Sequence, residues 1–463
     1  MGAEENVRKV LQETNELRNR ARPVNKLPPE ILSNVLQHRN REWDLVAATH
    51  VCRYWRSSLI TSPTLWTSLR YRTEDRAHTY LERSGLAMGL DVWINLRYSD
   101  DGPGRIYPQA GRVRSLTIHG TASQVRTAIS RAFCRPAPSL QHLEITVPPG
   151  SGSHCEEGIR LPDNFLGQHA PELRSVILIG VFPAFVSQFS LPSLTRLQFR
   201  LKWYGERTRT STIFGVLSIP SQLKEVSIDL RPTPMIGHIG APSDPDPLPA
   251  IEDLVPNSII CLESLEELQI EWVLGARIVP WLRLPRLKKL RVGSPRTRMV
   301  DLLPADAHLL LSKTTRLMYS CPKVDSRKAV FGGGGVTIEV QGHGINPINW
   351  LSDISPAWFG QIKDLVFSGF SDIMATHGIA ELPVAEFGDL EVLQLDKCAT
   401  RFVDLISRAL DGEVIPCPSL REIRSDSQQT LKSFTGFVRR RERLVGDRVQ
   451  LVRGIRTDRE WED

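Results

Sequence analysis

The chain has 463 residues, of which 41% are hydrophobic and 24% charged, and its formal net charge is +6. The length exceeds what one compact core uses and points to two or three globular domains or one long repeat array, while the composition excludes a largely disordered chain. So small a basic excess, spread over this length, does not demand nucleic acid.

Residues Glu4 to Arg22 place Val7, Val10, Leu11, Thr14 and Leu17 on one side, the i, i+3, i+4, i+7 spacing of an amphipathic helix that Pro23 ends. Fewer than three heptads are short for a coiled coil, and the helix is expected to pack on the segment that follows it or to fray. Before Arg20 there is no apolar run of the kind a secretory signal needs.

The texture changes at Leu27. Prolines at 28 and 29 sit where a helix entry needs no amide hydrogen, Glu30 follows in the first turn, and Ile31, Leu32, Val35 and Leu36 supply an apolar face. A second helical pattern starts at Asp44-Leu45 and continues through Ala48, Val51, Cys52 and Trp55 to Leu59, before Pro63 stops it. About 45 residues in short helices bury little core alone, so the module needs a partner or a neighbouring domain.

The rest of the chain repeats an LxxLxL pattern. It reads Val113/Leu116/Ile118, Leu140/Leu143/Ile145, Leu173/Val176/Leu178, Leu194/Leu197/Phe199 and Leu223/Val226/Ile228, then Leu265/Leu268/Ile270, Leu287/Leu290/Val292, Ile362/Leu365/Phe367 and Leu390/Leu393/Leu395, with a degenerate copy at Leu420/Ile423. Successive copies lie roughly 20 to 45 residues apart, overlapping and exceeding the leucine-rich repeat period. Pro138, Pro171, Pro192, Pro285 and Pro418 each stand two residues before the first leucine, where a proline ends a helix and starts an extended segment. Helical stretches are expected at Val125–Phe133 and Phe402–Leu410, and a closing helix at Leu431–Arg443 with a strand near Arg448–Val452.

The fold class read from this pattern is α/β. A short helix over residues 1–24 and a small all-α module over 25–70 precede an irregular solenoid over 71–463, in which parallel strands alternate with helices. Between the core positions the outward residues, among them His142, Glu144, Arg196, Arg200, Glu225, Asp229, Arg291 and Arg424, carry mixed signs, unlike the basic, aromatic-studded face of a nucleic-acid binder. Long loops at 148–162, 231–256, 341–356 and 368–383 would share the carboxyl edge of the strands. Trp203, Trp272 and Trp350 near that rim are candidate protein-substrate contacts.

Chemistry is expected to be absent. The seven cysteines are odd in number and form no CxxC pair, which fits reduced thiols rather than disulfides or zinc. No HExxH or GxSxG occurs, and the run Phe331–Val336 is glycine-rich without the Lys-Ser/Thr of a phosphate loop. No catalytic residue, metal or cofactor is expected, and the chain is read as a non-enzyme. The longest apolar run, Val176–Val186, is broken by Pro183 and falls short of the ~18 residues that span a bilayer, so a cytoplasmic or nuclear protein without a membrane partner is expected. Arg439-Arg440-Arg441 is read as a solvated helix face.

Residues 27–69 resemble the F-box. The likeness rests on Leu27-Pro28-Pro29-Glu30-Ile31-Leu32, then Asp44-Leu45, then Val51-Cys52-Arg53-Tyr54-Trp55, then Pro63-Thr64-Leu65-Trp66-Thr67-Ser68-Leu69. With its leading helix and downstream repeats, the chain looks like the large F-box families of mushroom-forming fungi. The resemblance implies that the module binds the Skp-type adaptor of an SCF cullin–RING ubiquitin ligase and that the solenoid presents a protein substrate. The alternative is a scaffold acting outside ligase assembly. By position it makes Leu27, Pro28, Glu30, Ile31, Leu32, Val35, Leu45, Val51, Cys52 and Trp55 the adaptor contacts, whereas Trp66 and Leu69 are expected to pack inward.

Overall fold

The computed structural model describes residues 2–38, 42–98, 104, 106–148, 159–162, 164–182, 191–201, 213–215, 217, 222–229, 259–271, 278–295, 302–323, 326–343, 361–371, 387–410 and 417–454. The chain divides into two compact units, one of residues 1–155 and 159–193, the other essentially residues 194–463.

The first unit opens with α1 (Gly2–Ala21), α2 (Pro29–Gln37), α3 (Glu42–Ala48) and α4 (Arg53–Ile60). The helix expected from Asp44 to Leu59 is two helices. Cys52, at φ −159°, takes an extended conformation that breaks the helical run, and Thr49 Oγ1 donates to Val46 O at 2.7 Å, turning the chain locally. Five parallel strands follow: β1 (Ser68–Tyr71), β2 (Leu90–Asn95), β3 (Val113–His119), β4 (His142–Thr146) and β5 (Ser175–Ile179), each hydrogen-bonded to the next in chain order. Helix α5 (Glu74–Arg83) joins β1 to β2, and α6 (Ala122–Ala132) joins β3 to β4. Helix α6 starts with a reciprocal cap between Thr121 and Gln124.

In the second unit, β6 (Arg196–Arg200), β7 (Glu225–Asp229), β8 (Glu267–Glu271) and β9 (Lys289–Pro295) continue the same one-strand-per-copy pattern in parallel. The register sets equivalent leucine positions side by side: Leu197 beside Val226, Val226 beside Leu268, Leu268 beside Leu290. Beyond α7 (Ala307–Leu311) the pattern changes. Strands β10 (Arg316–Lys323), β11 (Ser326–Gly333) and β12 (Val336–His343) form an antiparallel meander that enters the sheet in reverse order, with β12 beside β9 and β10 beside β13 (Asp364–Ser368). Parallel pairing resumes through β13, β14 (Val392–Asp396), β15 (Glu422–Ser425) and β16 (Gln450–Arg453).

The glycine run has a structural task in this meander. It makes the β11–β12 turn, in which Gly333, Gly334 and Gly335 have φ of 124°, 58° and 76°. A Cβ on Gly334 would stand 2.6 Å from Lys313 O.

Across all the LxxLxL copies, no apolar core residue is more than 3% exposed. The prolines before them do more than end a helix. Each of Pro138, Pro171, Pro285 and Pro418 takes the second place of a β-turn closed from residue i to i+3, as in Leu140 N–H to Ala137 O (3.1 Å) and Leu420 N–H to Cys417 O (3.0 Å). The same turn forms without proline at Phe387–Leu390. Helix α8 (Thr400–Leu410) stacks Phe402 on Phe370 at 4.3 Å. The closing helix is split into α9 (Gln428–Ser433) and α10 (Thr435–Val445). Arg441 on α10 is buried rather than solvated: its guanidinium donates to Cys417 O at 2.8 Å and to Pro418 O.

Candidate protein-docking site

Helix α2 carries two apolar pairs at i, i+4 spacing, Leu32/Leu36 and Ile31/Val35, which put two adjacent stripes on its surface. One stripe is closed. Leu32 is buried together with Leu45, Ala48, Leu59 and Leu65 in the core of the small module. Ser33 Oγ and Ser62 Oγ share a hydrogen bond at 2.8 Å, fastening α2 to the segment after α4. The other stripe is open, with Ile31 at 45% and Val35 at 51% exposure. Val51, in the turn before α4, is 56% exposed, and Val24 is exposed as well.

The entry to α2 is held in place. Leu27 and Pro28 are extended, Pro29 occupies the first helical position, and Leu32 N–H reaches Pro28 O at 3.1 Å. Tyr54 Oη on α4 donates to Leu27 O, and Trp55 Nε1 donates to Asn25 Oδ1 at 2.6 Å. Arg56 Nε donates to Thr49 O at 3.0 Å, closing the α3–α4 turn. Pro28 thus stands exposed beside a segment that Tyr54 and Trp55 hold, and little conformational freedom remains to be lost when it is covered.

The ten residues singled out in the sequence therefore fall into three groups. Pro28, Glu30, Ile31, Val35 and Val51 are exposed; Leu27, Cys52 and Trp55 are half-buried; Leu32 and Leu45 belong to the module's own core. Val24 and the anchoring roles of Asn25 and Tyr54 were not visible in the sequence, since they depend on a chain reversal around Pro23. Trp66 and Leu69 are fully buried, as their inward role requires. The Trp66 ring meets Tyr80 edge-on at 4.9 Å, carries the Arg83 guanidinium at 4.4 Å, and donates Nε1–H to Leu59 O at 2.8 Å, joining the module to α5.

On the strand faces the mixed charges are paired with one another. Arg196 meets Glu225 at 3.3 Å, Arg200 meets Asp229 at 2.9 Å and Arg316 meets Asp364 at 3.1 Å, all between registered neighbours on adjacent strands. Glu339 lies between Arg291 (3.2 Å) and Lys328 (3.2 Å). Val366 and Gln394, on the face that elsewhere carries these charges, are buried. Trp203, Trp272 and Trp350, and nearly all of the long loops near them, lie outside the described residues. Among the described residues no three His, Cys, Asp or Glu side chains gather to hold a metal ion, and no helix is long and apolar enough to cross a membrane.

The small helical bundle seals one side on its own chain and leaves an apolar side open, with a proline at its edge. The F-box-like family model matches residues 24–72, about a tenth of the chain, and the chain carries an F-box-like domain there. No curated protein matches the chain.

Proposed function

We propose that the chain is a substrate receptor of an SCF-type ubiquitin ligase. F-box domains generally bind Skp-type adaptors in cullin–RING ligases, and the F-box-like domain at 24–72 is the natural seat for that adaptor. One observation carries the reading: Ile31, Val35 and Val51 remain about half exposed beside an immobilised Pro28, in a module otherwise closed on its own side. Fully covering a branched aliphatic side chain is worth ~1.5–3 kcal/mol. Three such residues, each already half covered, supply roughly 2–4 kcal/mol together. The cost of association, ~4–15 kcal/mol, requires further contacts around them, with the rigid Pro28 reducing what is lost on binding.

The strand array is then an irregular leucine-rich-repeat-like solenoid that holds a protein substrate on its outward face and along its strand-end loops, with Trp203, Trp272 and Trp350 as candidate contacts. The receptor performs no covalent chemistry and needs no cofactor. It raises the local concentration of substrate at the ligase, in the cytoplasm or nucleus, where such ligases work. The charges of the strand faces are spent on each other, which leaves a protein surface rather than a nucleic-acid backbone as the fitting ligand.

The test is capture of the Skp-type adaptor by the full chain, followed by ubiquitin transfer in the reconstituted ligase. Wild type is expected to bind, and the Pro28→Ala, Ile31→Asp double variant to lose binding at an unchanged melting temperature. Failure of the wild type to bind any Skp-type adaptor ends the proposal. Binding without transfer to any substrate leaves the scaffold alternative.

A further inference from the structure

Helix α1 presents an apolar seam that is exposed among the described residues, and we propose that a second copy of this chain covers it, the two α1 helices pairing in parallel as a short coiled coil. The inference does not depend on the adaptor. Along α1 the apolar side chains recur with heptad spacing: Val7 and Thr14 at one seam position, Val10 and Leu17 at the other, Leu11 beside them. Val7, Val10, Leu11 and Leu17 are 60%, 61%, 59% and 67% exposed. The helix does meet the following module, as expected, through Glu16 and Arg53, while Val7, Val10 and Leu17 stay exposed.

The opposite side of the helix is the attached one. Glu16 pairs with Arg53 at 2.8 Å, and Asn25 Nδ2 donates to the backbone carbonyl of Asn19 at 2.7 Å. Gln12, Asn15 and Glu16, with Leu11 at the edge, line a groove shared with Cys52 and Tyr54. On a helical wheel those polar residues lie across from the seam. The chain uses the polar back of α1 as its foothold and leaves Val7, Val10 and Leu17 exposed on the other side, so a partner there meets α1 first.

Three features identify that partner as the same helix from another copy. A narrow seam of this spacing accepts a helix, and Val7 at its first position with Leu17 at its second suits two parallel strands, Val10 being the β-branched exception at the second. The Thr14 hydroxyl already donates to Val10 O at 2.8 Å, so covering it leaves no unsatisfied donor. Glu13 precedes Arg18 by five residues and both are exposed. In a parallel pair this spacing sets Glu13 of one helix against Arg18 of the other, twice by symmetry. Only about two and a half heptads are available, so the pairing buries less than the ~1,200 Å² at which stable interfaces begin. The dimer is expected to form reversibly at micromolar concentrations. It would place two substrate-holding surfaces in one particle.

Sedimentation velocity of the full chain across the micromolar range tests this. A monomer–dimer equilibrium is expected. Leu17→Glu should abolish it while leaving the far-ultraviolet spectrum and melting temperature unchanged. Glu13→Arg should weaken it at least several-fold, and adding Arg18→Glu to that variant should restore it, which generic stickiness cannot do. Ile31→Asp, which removes the adaptor face, should leave the dimer intact. A chain that stays monomeric throughout overturns the inference, as does a dimer indifferent to both Leu17→Glu and Glu13→Arg. Loss of adaptor capture in Leu17→Glu, with no dimer in the wild type, reassigns the seam to the adaptor.

Discussion

The N-terminal module and the strand array are built from the same aliphatic side chains and close them differently. In the array a leucine at a core position has a strand on either side and a turn above, and none of these residues is more than 3% exposed. In the module, α2 presents Leu32 inward and Ile31 with Val35 outward, and the described residues leave the outward pair about half exposed. The difference is one of supply. Each added strand brings both a new face to bury and the surface that buries its predecessor. A module of about 45 residues has too little interior for the apolar surface it carries. Even the charges follow the division: on the array they are cancelled between neighbouring strands.

The largest effect that would break this comparison is on stability. Leu290→Ala removes a fully buried side chain from β9 and is expected to cost ~2–5 kcal/mol, read as a lower denaturation midpoint of the second unit. Ile31→Ala is expected to leave stability within ~0.5 kcal/mol. Equal destabilisation by the two would mean that Ile31 is a core residue and the open face an illusion. The next effect is on binding: Ile31→Asp or Val35→Asp should weaken adaptor capture by ~1.5–3 kcal/mol, about tenfold to a hundredfold, measured by titration calorimetry.

Much of this was legible in the sequence because it depends on short-range patterns. The LxxLxL spacing placed the parallel strands β3 to β9 and β13 to β15, and prolines marked turns in front of several, but β1, which begins inside the module read as all-α, and β2 lie outside the pattern. The closing helix and strand near Arg448–Val452 were found as well. What stayed hidden depends on pairing across distance. The three-stranded meander between Arg316 and His343 shows only a period-2 alternation, Leu317/Tyr319/Cys321 and Val336/Ile338/Val340, around the glycine run. That signal is a hairpin's, and its period of two does not fit the LxxLxL spacing on either side. Likewise the motif could say that Ile31 and Leu32 matter, but not that one faces in and the other out. That is decided by which side of α2 meets α4, through contacts such as Ser33 with Ser62.

A smaller effect is expected at the meander's turn. Gly334 has φ of 58° with Lys313 O close to where a Cβ would be. A left-handed backbone costs a side-chain-bearing residue ~1–2 kcal/mol before any clash is relieved. Gly334→Ala should therefore lower the second unit's midpoint measurably. Gly388→Ala, in a turn with open space around it, should not. Equal effects at the two sites would show that the turn adapts and that β11 is not held against β10 and β12 by this geometry.

The smallest effect sharpens the contrast with one residue type. Cys52 lies half-buried at the edge of the docking face, while Cys417 is buried in the array and Cys398 half-buried. Burial pushes the thiols of Cys398 and Cys417 from 9.0 up to about 12. The folded chain thus holds protons that the unfolded chain releases above pH 9, so stability is intact below that pH and declines as pH rises from 9 toward 12. Thiolate is the reacting form. At pH 8, alkylation followed by peptide mass spectrometry should mark Cys52 readily and leave Cys398 and Cys417 unmarked until denaturant opens the array. Bound adaptor should then protect Cys52 alone. Labelling of Cys417 at the rate of Cys52 in the native chain would mean that the array opens as easily as the module, and the division between a closed region and an open one would fail.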